Sequence, residues 1–140
     1  MSKVAVVYWS GTGNTASMAQ YLVQGVNEAG AETEVFTSAE FTAEMAAGYD
    51  KIAFGCPSMG SEVLEESEFE PMFEDVKGTL KGKTIALFGS YGWGDGEWMR
   101  NWEDSCKGHG AVLVSDCVIC NGAPGADAVE ECKALGAALV

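Results

Sequence analysis

At 140 residues the chain has room for one domain with its own core, and a net charge of −13 excludes roles that require contact with nucleic-acid phosphates. Hydrophobic residues make up 47% of it, too many for a disordered acidic polymer, yet no apolar run reaches the ~18 residues of a membrane span. With no signal-peptide pattern before the first apolar run, the expectation is a soluble, cytoplasmic protein that meets basic protein surfaces.

Lys3 to Trp9 is almost continuously apolar, which predicts a parallel strand buried on both faces. Ser10 to Thr15 form a Gly-rich loop. An amphipathic helix over 16–29 follows, with Met18, Leu22 and Val26 on one stripe, Ala19 and Val23 beside it, and Gly30 just past its end. Glu32 to Thr37 is a more polar strand, suited to a sheet edge, and Phe41 to Gly48 leaves room for one helical turn. Lys51 to Gly55 is a buried strand that ends at Cys56-Pro57, before a loop of Ser58, Met59, Gly60, Ser61 and Glu62.

Ser67-Glu68-Phe69-Glu70 has the capping-box spacing, with Pro71 tolerated in the first turn and Phe69, Met72, Phe73 and Val76 on the apolar face. Lys83 to Gly89 reads as another buried strand. Ser90, Tyr91, Gly92, Trp93 and Gly94 open a loop rich in glycine and aromatics, and Trp98, Met99, Trp102 and Cys106 line the next helix. Ala111 to Ile119 is the fifth strand and Asn121 to Gly125 a loop. Asp127 to Glu130 caps the last helix, with Val129, Cys132, Leu135 and Leu139 inward. Strands alternating with helices predict a single α/β domain over 1–140: a three-layer, doubly wound, five-stranded parallel sheet. Ligands in such sheets bind beyond the carboxyl ends of the strands, where the loops at 10–15, 56–62, 90–96 and 120–124 converge.

Trp9-Ser10-Gly11-Thr12-Gly13-Asn14-Thr15 joins a strand to a helix N-terminus, whose free N–H groups and positive dipole end suit an anion. Ser10, Thr12, Asn14 and Thr15 add polar side chains, whereas an ordinary helix cap needs only one. The absence of Lys or Arg excludes the triphosphate loop G-x-x-x-x-G-K-[ST]. Gly11-x-Gly13-x-x-Ala16 fits the loose dinucleotide pattern, but Phe36 and Thr37 stand where its acidic ribose partner belongs. A terminal phosphate monoester fits better. Trp93 between two glycines in a hydrophilic loop is a poor core residue, and Met59 is a soft side chain that packs on aromatic faces. A phosphate cradle and a sandwich for a planar ring together describe a mononucleotide with a large aromatic base.

The five cysteines are odd in number, which argues against a disulfide framework. Cys117 and Cys120 are spaced C-x-x-C but lie on a predicted strand, where residues three apart face opposite sides. With no second pair and no nearby histidine, they read as structural thiols. His109, in Lys107-Gly108-His109-Gly110, reads as a solvated turn residue.

Tyr8 to Thr15, Glu62 to Pro71 and Leu87 to Gly94 resemble the short-chain flavodoxins of anaerobic bacteria, and the likeness extends over the whole chain. The resemblance implies strand order 2-1-3-4-5 and non-covalent FMN serving a low-potential one-electron carrier, not an enzyme, that works between semiquinone and hydroquinone. It further implies a phosphate held by Ser10, Gly11, Thr12, Gly13, Asn14 and Thr15, and a flavin ring flanked by Met59 and Trp93. Pro57 and Ser58 would lie beside the cofactor, with Tyr91, Gly94 and Asn121 near the ring. The Gly60–Ser61 peptide would turn its carbonyl toward flavin N5–H, Ser90 and Gly92 would contact the pyrimidine edge, and Glu62 would reach toward N3. Partners would be redox proteins with basic docking surfaces, met by a monomer in transient complexes. Two departures stand out: Gly122 replaces an acid of close relatives, and Pro57 replaces a serine that some relatives place on the phosphate. A flavin-dependent reductase of quinones is the alternative, although the chain is too short to add a substrate domain. A phosphoacceptor domain would need an aspartate after the third strand, where Gly55-Cys56 stand, and a cysteine phosphatase would need an arginine closing the loop after Cys56.

Overall fold

The computed structural model describes residues 3–11, 13–59 and 63–140. Its elements are β1 (Lys3–Tyr8), α1 (Asn14–Glu28), β2 (Glu32–Thr37), α2 (Ala43–Ala46), β3 (Lys51–Gly55), α3 (Phe69–Val76), β4 (Thr84–Tyr91), α4 (Glu97–Gly108), β5 (Val112–Leu113), β6 (Val118–Asn121) and α5 (Ala126–Ala138). The strands pair in parallel in the order β2-β1-β3-β4-β5, with β6 also on β4, so the sheet is the doubly wound one expected. β2 lies at an edge, as its polar composition predicts.

Strand alternation sorts the core into two unlike layers. Val7, Phe54 and Leu87 fall on one register line and face α3 and α4, where Phe69, Phe73 and Trp102 form an edge-to-face and stacked aromatic cluster with centroids 5.4–6.2 Å apart. Val6, Ala53 and Ala86 fall on the next line and face α1 and α5. Small side chains there let the two helices sink toward the sheet and toward each other. A Cβ on Gly25 would lie 2.0 Å from the Lys133 carbonyl oxygen, and one on Gly136 would lie 2.1 Å from that of Leu22. The helices therefore meet backbone to backbone, a contact only glycine permits.

Several boundaries differ from the sequence reading. α1 starts at Asn14 rather than Ala16, with Gly13 as its cap at φ 97°. β4 runs on through Ser90 and Tyr91, so both stand on the sheet and not in the loop. The fifth strand is split. Between Ile85↔Leu113 and Phe88↔Val118 the outer chain takes five steps against three on β4, and the extra length bulges out at the exposed pair Ser115-Asp116. α5 is capped by Gly125 and not by Asp127, which sits in its first turn, and it buries Ala128 more fully than Val129. The capping box at Ser67 is not formed: the α3 cap position is Glu68, with no side-chain cap bond of its own.

Candidate functional site

The carboxyl ends of β1, β3 and β4 surround a cavity of about 250 Å³. Trp9, Ser10, Gly11, Asn14 and Thr15 line it from the first loop, Pro57, Ser58 and Met59 from the second, Ser90, Tyr91 and Gly92 from β4, and Gly122 from the last loop. None of these residues carries a charge. Gly13 lies outside the lining, on a neighbouring hollow across the same loop, and Trp93, Gly94 and Asn121 lie outside it as well. Trp93 is 62% exposed, which agrees with its reading as a residue that is not part of the core. Thr12, Gly60, Ser61 and Glu62, including the expected switch peptide, lie outside the described residues.

At the first loop, the Ser10 Oγ accepts from the N–H groups of Gly13 (3.1 Å) and Ala16 (3.2 Å). Ser10 thus serves as the acceptor for the α1 N-terminus, and its own O–H remains to donate. Thr15, 1% exposed, turns its hydroxyl to β4 and accepts from the Ser90 N–H at 3.4 Å. Ser90 links the other walls: its carbonyl accepts from the Ser58 N–H at 3.0 Å and its hydroxyl donates to the Gly122 carbonyl at 2.5 Å. Gly122 completes the link with its N–H on the Tyr91 carbonyl at 2.9 Å, and its φ of +69° disfavours the glutamate that would restore an acid there.

The second loop is closed by reciprocal Met59–Val63 backbone bonds of 2.9 Å each. Beyond it stands Glu65, 6% exposed, which sequence reasoning missed among five similar glutamates between 62 and 70. Its Oε1 accepts from the N–H groups of Glu68 (2.7 Å) and Phe69 (2.9 Å). Its Oε2 accepts from the Ser67 N–H (2.9 Å) and the Ser67 hydroxyl. Burial works to raise this carboxyl's pKa, but the Ser67 hydroxyl and the three N–H groups overcome it and hold it at about 2, against an ordinary 4.5.

Asp95, exposed on the loop before α4, is paired with Arg100 at 3.0 Å, which offsets its charge. Cys117 packs in the aromatic layer and Cys120 in the α1/α5 layer, on opposite faces as their spacing predicts. Burial pushes the Cys56, Cys106 and Cys132 thiols up to about 12, so they are neutral hydrophobes. His109 is exposed in the turn after α4, with Nδ1 2.8 Å from the Ser105 carbonyl oxygen.

The cavity suits a phosphorylated planar ligand. Its lining combines N–H and hydroxyl donors at a helix N-terminus with the apolar surfaces of Trp9, Met59 and Tyr91. Fold and site together define a doubly wound mononucleotide-binding domain. A family model described as flavodoxin matches residues 6–136. The chain is 43% identical over 131 residues to the flavodoxin of Clostridium beijerinckii, covering 94% of each. It is 46% identical over 135 residues to that of Megasphaera elsdenii, covering 96% of each. Its structure matches the solution structure of two-electron reduced Megasphaera elsdenii flavodoxin with a TM-score of 0.90, over 97% of both chains. The chain belongs to the flavodoxin family, FMN-binding electron carriers that pass electrons to redox partner proteins, and the reductase alternative is not favoured. No helix among the described residues is long and apolar enough to cross a membrane.

Proposed function

We propose that the cavity holds FMN with its phosphate on the loop of Ser10, Gly11, Gly13, Asn14 and Thr15 and its ring against Met59, Tyr91 and Gly92, with Trp93 on the solvent side. The observation that carries this reading is the uncharged lining of the cavity at the α1 N-terminus. When bound, FMN supplies one-electron chemistry at low potential. Ser10 takes up two helix N–H groups and can still donate its own proton to a phosphate oxygen. Neutral donors hold a dianion without cancelling its charge, so an added electron meets an environment that is already negative. Ser90 ties the walls of the cavity together and keeps it in shape.

Trp93, exposed and on the loop beside Gly92, offers a flat edge through which a partner can approach the ring. The net charge of −13 favours partners with basic docking faces and brief, salt-sensitive encounters of a monomer. Five free, mostly buried thiols suit the reducing cytoplasm. Titration of cofactor-free protein with FMN and with riboflavin tests the placement. FMN is expected to quench tryptophan fluorescence and to bind at least about 100-fold more tightly, the factor that about 2.7 kcal/mol of phosphate contacts supplies. Equal affinity for the two would remove the phosphate loop from the site.

A further inference from the structure

The loop that carries Met59 has two unlike legs. The outgoing leg is bound to the sheet and to α4: the Cys56 N–H donates to the Phe88 carbonyl (3.1 Å), the Trp98 Nε1–H donates to the Cys56 carbonyl (3.1 Å), and the Ser58 N–H donates to the Ser90 carbonyl (3.0 Å). The returning leg, Val63 to Glu65, joins no strand. Val63 bonds back to Met59, and the connections beyond it run through Glu65. The Glu65 N–H donates to the Cys56 Sγ at 3.4 Å, its carbonyl accepts from the Glu70 N–H at 2.8 Å, and its carboxylate accepts the four donors described above.

We propose that Glu65 is a positioning residue for the cofactor site: it clamps the returning leg between Cys56 at the end of β3 and the N-terminus of α3, and so sets where Met59 stands. The inference rests on the reading that Met59 lies against FMN. The chemistry calls for a carboxylate. Three convergent N–H groups and a hydroxyl present four donors, which two ionised oxygens can all accept. A glutamine turns an N–H₂ toward donors and leaves some of them unpaired. The clamp is anchored deeply, because Phe69, whose N–H it accepts, is fully buried in the aromatic layer, and Leu64 packs against the same layer.

A residue that merely caps α3 would stabilise that helix and leave the loop alone. The deciding experiment follows amide resonances and amide exchange, with and without FMN, in the wild type and in Glu65→Gln, Ser67→Ala and Thr42→Ala. Thr42 caps α2 through the Met45 N–H at 3.2 Å and controls for the loss of a helix cap elsewhere. Glu65→Gln is expected to speed exchange of the Met59 and Val63 amides and to weaken FMN binding by roughly tenfold, or about 1.4 kcal/mol. Ser67→Ala, which removes one donor of four, is expected to shift both in the same direction by less, and it carries the test if Glu65→Gln does not fold. Thr42→Ala is expected to change neither. Faster exchange confined to α3, with Met59, Val63 and FMN affinity at wild-type values, would overturn the proposal. If FMN leaves the Met59 amide resonance of the wild type unmoved, the placement of the ring fails and the proposal fails with it.

Discussion

The N-termini of α1 and α3 pose one electrostatic problem and meet it in opposite ways. Each presents converging N–H groups and the positive end of a helix dipole. At α1 the acceptor is a neutral hydroxyl, Ser10, on an uncharged cavity, which leaves the positive potential for an outside anion. At α3 an internal carboxylate, Glu65, fills the position completely. A helix start binds a ligand only where the chain declines to supply its own anion, and the choice of Ser or Glu separates a binding site from a structural joint.

The largest test makes the first terminus resemble the second. Ser10→Asp places a carboxylate on the α1 N–H groups, and FMN binding is expected to fall by about a thousandfold, since like charges set against each other cost several kcal/mol. Riboflavin binding should change far less in the same fluorescence titration. The converse, Glu65→Ala, leaves the N–H groups of Ser67, Glu68 and Phe69 without their acceptor. Denaturant unfolding of the FMN-free protein should show a loss of about 2–3 kcal/mol. Next comes pH. The Glu65 pKa is held at about 2 when folded and is near 4.5 when unfolded, so the unfolded state takes up the proton first. Its contribution is therefore whole above about 4.5 and drains away as pH falls toward about 2. The difference in unfolding free energy between the wild type and Glu65→Gln should narrow over that window; a constant difference would mean the carboxylate's charge is irrelevant. The smallest effect is Ser10→Ala in the FMN-free protein, a cap loss of about 1 kcal/mol in the same unfolding assay. A loss as large as that of Glu65→Ala would erase the distinction between the two termini.

The same capping rule reads both termini from the sequence, and it serves them unequally. At α1 four polar side chains around two glycines exceed what a cap requires, so the excess itself signalled a ligand. At α3 the S-x-x-E spacing of Ser67 and Glu70 is present, yet Glu65 outcompetes it, because an ionised carboxylate two residues upstream accepts more donors than a hydroxyl can. Nothing in a run holding Glu62, Glu65, Glu66, Glu68 and Glu70 marks which glutamate turns inward. Trp9 and Gly122 were also missed as lining residues: Trp9 ends an apolar strand and resembles core, while Gly122 offers no side chain to read.

What the chain determines by itself is local and periodic. Apolar runs of strand length, the 3.6-residue stripe of α1 and the glycine- and hydroxyl-rich turn at 10–15 follow from backbone sterics and from burying one face, so they are written in consecutive residues. Tertiary structure decided what depends on residues far apart. The backbone contact of Gly25 and Gly136 exists only once α1 and α5 lie together. Ser90 joins Thr15 and Gly122 only once β4 stands between them. Glu65 becomes a buried anion only once the start of α3 closes over it, for desolvation and hydrogen-bond convergence belong to a packed volume and not to a string.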